Sequence, residues 1–231
     1  YAYQSPYNFS ENRVIDGVEL EGAERLSIHS PGWGGNNGSP IRNEHPTEVQ
    51  MNVATAGVVA RHPIASSNVG KWERGGTNIS TVSSRIAIHA AENGNMTTGL
   101  GSQRNALRHA TWIATIASNY GEGVAQRIGN AHEGIPIGAQ RNAHVDFDQP
   151  APDNIKGADS VVDFLNNEIG REIGAGLGEG ATEYEAAVKS LGVQLNNGLW
   201  TATTGKNGNI SISRTKITQK QYNTAIKTLR T

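Results

Sequence analysis

Apolar residues recur at helical spacing through much of the chain after residue 80. The clearest stripe, in residues 103–120, consists of Ala106, Ala110, Ile113 and Ala117. These positions lie at i, i+4, i+7 and i+11, which places them on one face of an α-helix. Ser102 is suited to cap this helix, and Gly121 to end it. Because the stripe is made mostly of alanine, it predicts close approach by a neighbouring helix.

Similar patterns predict further helices over residues 81–93, 122–131, 161–177, 182–195 and 218–229. Asp159 or Ser160 is expected to cap the third of these helices. Thr182 and Glu185 form a capping-box pattern at the start of the fourth.

Two other regions have a different pattern. Residues 199–204 and 209–214 alternate in polarity on either side of a glycine-bounded turn, which predicts a β-hairpin. Residues 1–80 are rich in turn formers and lack sustained periodicity, although residues 48–61 suit a strand or a short helix. The predicted fold is therefore mainly α: an irregular N-terminal arm over residues 1–80, then a helical, catalytic domain over residues 81–231 with a small C-terminal hairpin.

Composition excludes several classes of protein. The 231 residues include no cysteine, so disulfides, thiolate metal sites and a cysteine nucleophile are excluded. A formal net charge of −1 gives no strong nucleic-acid signature. No apolar run is long enough to predict a transmembrane segment.

The polar residues best suited to chemistry lie in and after the first helix described above. His109 shares a helix face with Asn105 and Trp112, and Arg108 lies one turn before Trp112. A tryptophan beside a polar row commonly walls a pocket, although a buried histidine bonded to a carbonyl would give the same pattern.

His132 and Glu133 stand together at the predicted end of the next helix. A histidine and a carboxylate there can supply a metal ligand and a general base, but a solvated helix end is an equally simple explanation. The pair is not a zincin motif, because Pro136 occupies the place of the second histidine.

Asp163, Asn167 and Arg171 are spaced four residues apart on a third helix. Asp163 could bind a cation or orient a histidine, and Asn167 could hold a water molecule or a substrate carbonyl. Spacing alone favours an exposed polar ridge. In the preceding loop, alternate donors at His144, Asp146 and Asp148 resemble the start of a calcium loop, without its later glycine and glutamate.

Three segments together resemble a known family. They read Asn105-Ala-Leu-Arg108-His109-Ala-x-Trp112, Ala131-His132-Glu133 and Asp163-x-x-Asn166-Asn167-x-x-Gly170. Over residues 86–174 the chain resembles the helical C-terminal domain of bacterial polymorphic toxins of the wall-associated and Rhs types. The resemblance implies a secreted or delivered toxin, with an immunity protein as a partner. A more distant likeness is to the helical zinc phosphodiesterases, the single-strand nucleases and phospholipase C, which use more histidines than the two in these segments.

The resulting hypothesis is a metal-assisted hydrolase. His109, His132 and Asp163 would hold a divalent ion, with zinc suspected, and Glu133 would act as general base. Asn167 and Arg108 would position the substrate, a phosphoester of a lipid or a macromolecule in a target cell. Two alternatives remain open: a peptidoglycan hydrolase that uses Glu133 as a general acid without metal, and a non-enzymatic binding or structural module.

Overall fold

A computed structural model of the chain describes residues 48–135, 143–145, 147 and 151–230. In these residues the elements are α1 (Glu48–Arg61), α2 (Pro63–Val69), α3 (Ile79–Gly94), α4 (Gln103–Tyr120), α5 (Glu122–His132), α6 (Ile155–Ala175), α7 (Glu183–Asn196), β1 (Leu199–Thr204), β2 (Ile210–Thr215) and α8 (Gln219–Leu229). The mainly α fold with a C-terminal hairpin is therefore confirmed.

Helix α4 lies at the centre of the fold, in contact with α3, α5, α6 and α7. Its start and end are as the sequence predicts: the Ser102 hydroxyl accepts a hydrogen bond from the Asn105 backbone N–H at 3.2 Å, and Gly121 follows the last turn. Large apolar side chains on several of its faces are fully buried, among them Leu107, Ile113 and Ile116. A helix that is buried nearly all round can hold polar side chains away from bulk water.

Helices α4 and α6 pack closely because glycine replaces larger residues at their contact. A Cβ atom added to Gly170 would lie 2.8 Å from the Ala110 carbonyl oxygen, and one added to Gly174 would lie 2.5 Å from that of Ala114. The alanine stripe of α4 therefore faces α6, as its small side chains predict. This close approach brings the polar residues of α6 up to those of α4.

Helix α6 begins six residues earlier than the sequence pattern predicts. Its cap is Asn154, whose side-chain oxygen accepts a hydrogen bond from the Gly157 N–H at 2.9 Å. Asp159 and Ser160 are buried inside the helix, so the prediction that either residue caps it is wrong. The reason is that the Asp159 carboxylate accepts hydrogen bonds from the Gly101 N–H and the Asn105 side chain instead of from its own helix.

The hairpin is fixed to the helical core through α6. Strands β1 and β2 pair antiparallel in the register Leu199↔Thr215 to Thr204↔Ile210. The Asn166 side chain donates to the Trp200 carbonyl and accepts from the Trp200 N–H, both at 2.9 Å. One side chain thus satisfies both backbone groups of a residue in β1.

Part of the predicted N-terminal arm is helical. Helices α1 and α2 bury Ala54, Val58, Ala65 and Val69 in a cluster that also contains Trp112. These two helices therefore share a core with α4 and α5, while residues 1–47 lie outside the described part of the chain. Among the helices that the structure describes, none is long and apolar enough to cross a membrane.

Candidate metal centre

A small polar site lies where α4, α5 and α6 meet. Helix α4 contributes His109, and α6 contributes Asp163 and Asn167, which lie one turn apart. Helix α5 ends at His132, and Glu133 follows as its C-cap, with its N–H bonded to the Gly129 carbonyl at 3.1 Å. His132 is partly buried, and the other four residues are almost completely buried.

The His109 imidazole has polar neighbours at both ring nitrogens. Its Nε2 lies 2.7 Å from an Arg108 guanidinium nitrogen and 3.2 Å from Asp163 Oδ2. Its Nδ1 lies 3.1 Å from Asn167 Oδ1 and 4.0 Å from Glu133 Oε1. Asn167 also donates from its Nδ2 to Glu133 Oε1 at 3.4 Å, which links the two residues that face Nδ1.

These contacts allow two tautomers of a neutral His109. Arg108 can only donate, so its bond to Nε2 requires Nδ1 to carry the proton and to donate it to Asn167 Oδ1. In the other tautomer Nε2 carries the proton, 3.2 Å from Asp163 Oδ2, which requires the Arg108 guanidinium to move away from Nε2. Nδ1 then keeps its lone pair, 4.0 Å from Glu133 Oε1. The second tautomer is the one that leaves Nδ1 able to bind a cation.

Three of the residues could hold a metal ion. One ligand atom from each of His109, His132 and Glu133 lies within 4.8 Å of the other two. Two imidazoles and a carboxylate are a donor set that divalent transition metals accept. Asp163 is not in this group; it lies behind His109, against the Nε2 edge of the ring.

The electrostatic surroundings of His132 suit a neutral ligand. Burial lowers the pKa of His132 well below 6.5, and the neighbouring His109 and Arg108 lower that pKa further. The His132 Nδ1 is buried and has no hydrogen-bond partner among the described residues. Its ring packs on Trp112 with centroids 5.1 Å apart and on His109 with centroids 5.6 Å apart.

A second layer of polar residues supports Asp163. The Asn105 side chain donates to Asp163 Oδ1 at 2.7 Å and to Asp159 Oδ1 at 3.0 Å. Asp159 is held in turn by the Gly101 N–H, just before α4 begins. A buried chain of contacts therefore runs from the start of α4 through two carboxylates to the His109 ring.

The site opens into a pocket on one side. The pocket has a cavity volume of about 20 Å³ and is open to solvent, and it is lined by Lys71, Trp72, Ser80, Ser84, Arg108, His109, Trp112 and His132. Trp112 walls the pocket as predicted, and its indole N–H donates to the Ser80 hydroxyl at 3.1 Å.

The structure brings together all six residues that the sequence singles out: Arg108, His109, His132, Glu133, Asp163 and Asn167. Their chemical roles remain predictions. The preference for an exposed ridge on α6 is wrong for Asp163 and Asn167, which are fully buried, while Arg171 is partly exposed and lies 3.7 Å from Glu168. In the proposed calcium loop His144 is exposed, and Asp146 and Asp148 lie outside the described residues.

Sequence reasoning missed four residues of the site's surroundings. The sequence pattern predicts that Asp159 caps a helix. Its spacing of four residues from Asp163 indicates instead that both carboxylates share one helix face, which in the structure is the face towards α4. Lys71, Trp72 and Ser80 lie in or beside the non-helical link between α2 and α3, where no periodic pattern exists to place them.

Fold and site together define an α-helical protein with a buried centre of two histidines and a carboxylate. The chain belongs to the family described as Domain of unknown function (DUF6973), whose model matches residues 77–198. The matched segment contains α3 to α7, and with them all six residues named above. No curated protein and no solved structure matches the chain.

Proposed function

We propose that the protein is a metal-assisted hydrolase of phosphoesters, in which His109, His132 and Glu133 hold a divalent ion. The observation that carries the proposal is the grouping of their ligand atoms within 4.8 Å beside a solvent-connected pocket. Zinc is the first candidate, because catalytic zinc sites use three nitrogen or oxygen ligands and keep one position open. The buried Nδ1 of His132, without a hydrogen-bond partner in the described chain, supports a site that is completed by a cation.

Asp163 is assigned a positioning role in this scheme rather than the ligand role expected from the sequence. Its Oδ2 lies 3.2 Å from His109 Nε2, at the ring edge away from Glu133. A carboxylate that accepts the second N–H of a ligating histidine fixes the tautomer and the ring orientation. With Asp163 in this role, Nδ1 of His109 is the atom that faces the ion.

Glu133 has two carboxylate oxygens and can use them separately. One oxygen would bind the ion, and the other would accept the proton of the attacking water, which keeps the general-base role inferred from sequence. A bound divalent ion would make that water more acidic and polarise the phosphoryl group. Asn167 holds Glu133 Oε1 in place through its Nδ2–H.

The charge of the pocket favours an anionic substrate. Arg108 and Lys71 both border it, and a guanidinium group matches the geometry of phosphate oxygens. A phosphoester suits these two cations and the proposed ion better than a neutral glycan does. Delivery as a bacterial toxin with an immunity partner rests on the sequence resemblance alone.

The test combines metal analysis with activity. Protein purified without chelator is analysed for bound metals, and hydrolysis of bis(p-nitrophenyl) phosphate is measured before and after treatment with a chelator. We expect activity that chelator abolishes and zinc or manganese restores, and its loss in His132→Gln and Glu133→Gln. His89→Gln and Glu92→Gln are matched controls, because both residues are exposed on α3.

Other outcomes would support the alternatives. Cell-wall degradation that survives chelator and requires Glu133 would favour the metal-free peptidoglycan hydrolase. Variants His109→Ala and His132→Ala that lower the melting temperature in a protein without metal or activity would favour a structural module, and would overturn the proposal.

A further inference from the structure

We propose that Lys71 and Trp72 form a lip that binds a nucleotide unit, with the base against the Trp72 indole and the phosphate between Lys71 and Arg108. This inference deepens the proposed function and rests on it for the identity of the reacting group, a phosphoester. It adds the substrate class, which neither the site residues nor the family assignment supplies.

The two tryptophans of the pocket differ in exposure. Trp112 is 6% exposed and bonded through its indole N–H to Ser80, so it is part of the wall. Trp72 is 43% exposed and borders the same pocket. A large aromatic side chain at the mouth of a pocket provides a flat face on which a planar ring can stack.

The backbone beneath Trp72 is tied to the start of α3. The Lys71 carbonyl accepts a hydrogen bond from Asn78 Nδ2 at 2.7 Å, and the Glu73 N–H donates to the Thr81 hydroxyl at 2.9 Å. On the N-terminal side, the Ser80 hydroxyl donates to the Gly70 carbonyl at 3.0 Å. The same Ser80 hydroxyl accepts the Trp112 N–H, so the lip and the pocket wall share one anchor.

Gly70 shows how closely this segment fits. Its φ of +58° favours glycine, and an added Cβ would lie 2.7 Å from the Asn78 side chain. Because this segment is fixed at both ends, its backbone is already ordered before any ligand arrives, which reduces the entropy lost on binding.

The lining chemistry distinguishes between the polymers that could supply a ring. An acyl chain makes no use of the two cations and two serines that line the pocket beside its two tryptophans and two histidines. A sugar can stack on Trp72, but a neutral glycan carries no negative charge to pair with Lys71 and Arg108. A nucleotide unit uses both features, the aromatic face and the two cations.

The test is calorimetric titration of the full chain, in chelator, with four probes. Adenosine 5′-monophosphate carries base and phosphate, ribose 5-phosphate lacks the base, adenosine lacks the phosphate, and hexathymidylate represents a nucleic-acid strand. We expect Trp72→Ala to weaken binding of adenosine 5′-monophosphate about five- to a hundredfold and to leave ribose 5-phosphate unchanged. Lys71→Gln should weaken binding of adenosine 5′-monophosphate and of ribose 5-phosphate, and it should leave binding of adenosine unchanged.

Two exposed residues outside the pocket lining serve as matched controls. Phe147→Ala removes an exposed aromatic side chain outside the pocket lining, and Lys206→Gln removes an exposed cation in the hairpin turn. Neither change should alter binding of any probe. Tighter binding of hexathymidylate than of the mononucleotide would identify the source as a nucleic-acid strand, and the reverse order would identify a free nucleotide.

The inference is overturned if wild-type protein binds adenosine 5′-monophosphate no better than ribose 5-phosphate. It is also overturned if Trp72→Ala binds adenosine 5′-monophosphate as tightly as the wild-type protein does. These failures differ from failure of the proposed function. Chelator-sensitive hydrolysis without preference for nucleotides would support the proposed metal site and contradict the nucleotide-binding lip. Trp72-dependent nucleotide binding without hydrolysis would support the lip and contradict the proposed hydrolase.

Discussion

At the scale of single residues, Asn105 is the side chain on which the buried carboxylates depend. Its Nδ2 donates to both Asp159 and Asp163, and all three residues are buried. We predict that Asn105→Ala lowers the free energy of unfolding by about 1–3 kcal/mol for each carboxylate left short of a donor. Urea denaturation measures this loss.

Asn93→Ala is the control for that prediction. Asn93 is exposed on α3, and within the described part of the chain its side chain donates one local bond, to the His89 carbonyl at 2.8 Å. Its loss should change the free energy of unfolding by less than about 0.5 kcal/mol. Equal effects of the two substitutions would show that the Asn105 contacts contribute nothing beyond a surface asparagine.

The pKa of His132 predicts a dependence of stability on pH in protein freed of metal. Because burial, His109 and Arg108 hold this pKa well below 6.5, the unfolded chain binds a proton near pH 6.5 that the folded chain does not. The free energy of unfolding should therefore fall as the pH drops below about 6.5, by up to about 1.4 kcal/mol per pH unit. His132→Gln should reduce this slope between about pH 7 and pH 5, and the lowered pKa of His62 should leave a smaller slope of the same sign.

His89→Gln is the matched substitution, since His89 is exposed. It should keep the slope of the wild-type protein in the same denaturation series. A slope that is unchanged in His132→Gln would mean that the folded state protonates His132 as readily as the unfolded chain does.

At the scale of the elements, two glycines in helices should respond in opposite ways to alanine. Gly174→Ala inserts a methyl group 2.5 Å from the Ala114 carbonyl oxygen and 2.5 Å from the Ala117 Cβ, so α6 must move away from α4. We predict a loss of about 1–3 kcal/mol in the free energy of unfolding. At Gly192 in α7, an added methyl group meets no described atom within 4 Å apart from its own helix backbone and chain neighbours. Gly192→Ala should therefore raise stability by about 0.5–1 kcal/mol through helix propensity.

The same pair tests whether close packing positions the site. Bound metal and hydrolytic activity should fall in Gly174→Ala and stay at the wild-type level in Gly192→Ala. If Gly174→Ala is as stable and as active as the parent, the contact between α4 and α6 is looser than the structure describes.

The helix starts show how much of the fold can be predicted from the sequence. Ser102 and Thr182 were predictable as caps, because each precedes an apolar periodic run and bonds its own helix. Asp159 has the same local signature, but its carboxylate is used by Gly101 and Asn105 more than 50 residues away. A local pattern cannot show that a distant partner competes for the side chain, and so the start of α6 was misplaced.

The candidate site was predictable in part for a related reason. The helical spacing of histidine, tryptophan and arginine on α4 predicts one side of the site. The spacing of Asp163 and Asn167 predicts a second set of polar residues on α6. A polar ridge has the same sequence whether it faces water or a second polar ridge. Only the packing of α6 on α4, made close by Gly170 and Gly174, decides that it is buried.

At the scale of the whole molecule, the proposed ion would join two helices, α4 and α5, that pack against α6. His109 lies on α4, His132 and Glu133 lie at the end of α5, and α6 supplies Asp163 behind them. A ligand that binds the folded chain and not the unfolded chain stabilises it by about 2.7 kcal/mol at a hundred times its dissociation constant.

Zinc or manganese should therefore raise the melting temperature of the metal-free protein, as measured by calorimetry. The shift should be lost in His132→Gln and Glu133→Gln and kept in His89→Gln and Glu92→Gln. A shift of equal size in all five proteins would locate the binding elsewhere on the chain. The absence of any shift in the wild-type protein would mean that the three ligand atoms stand close together without holding an ion.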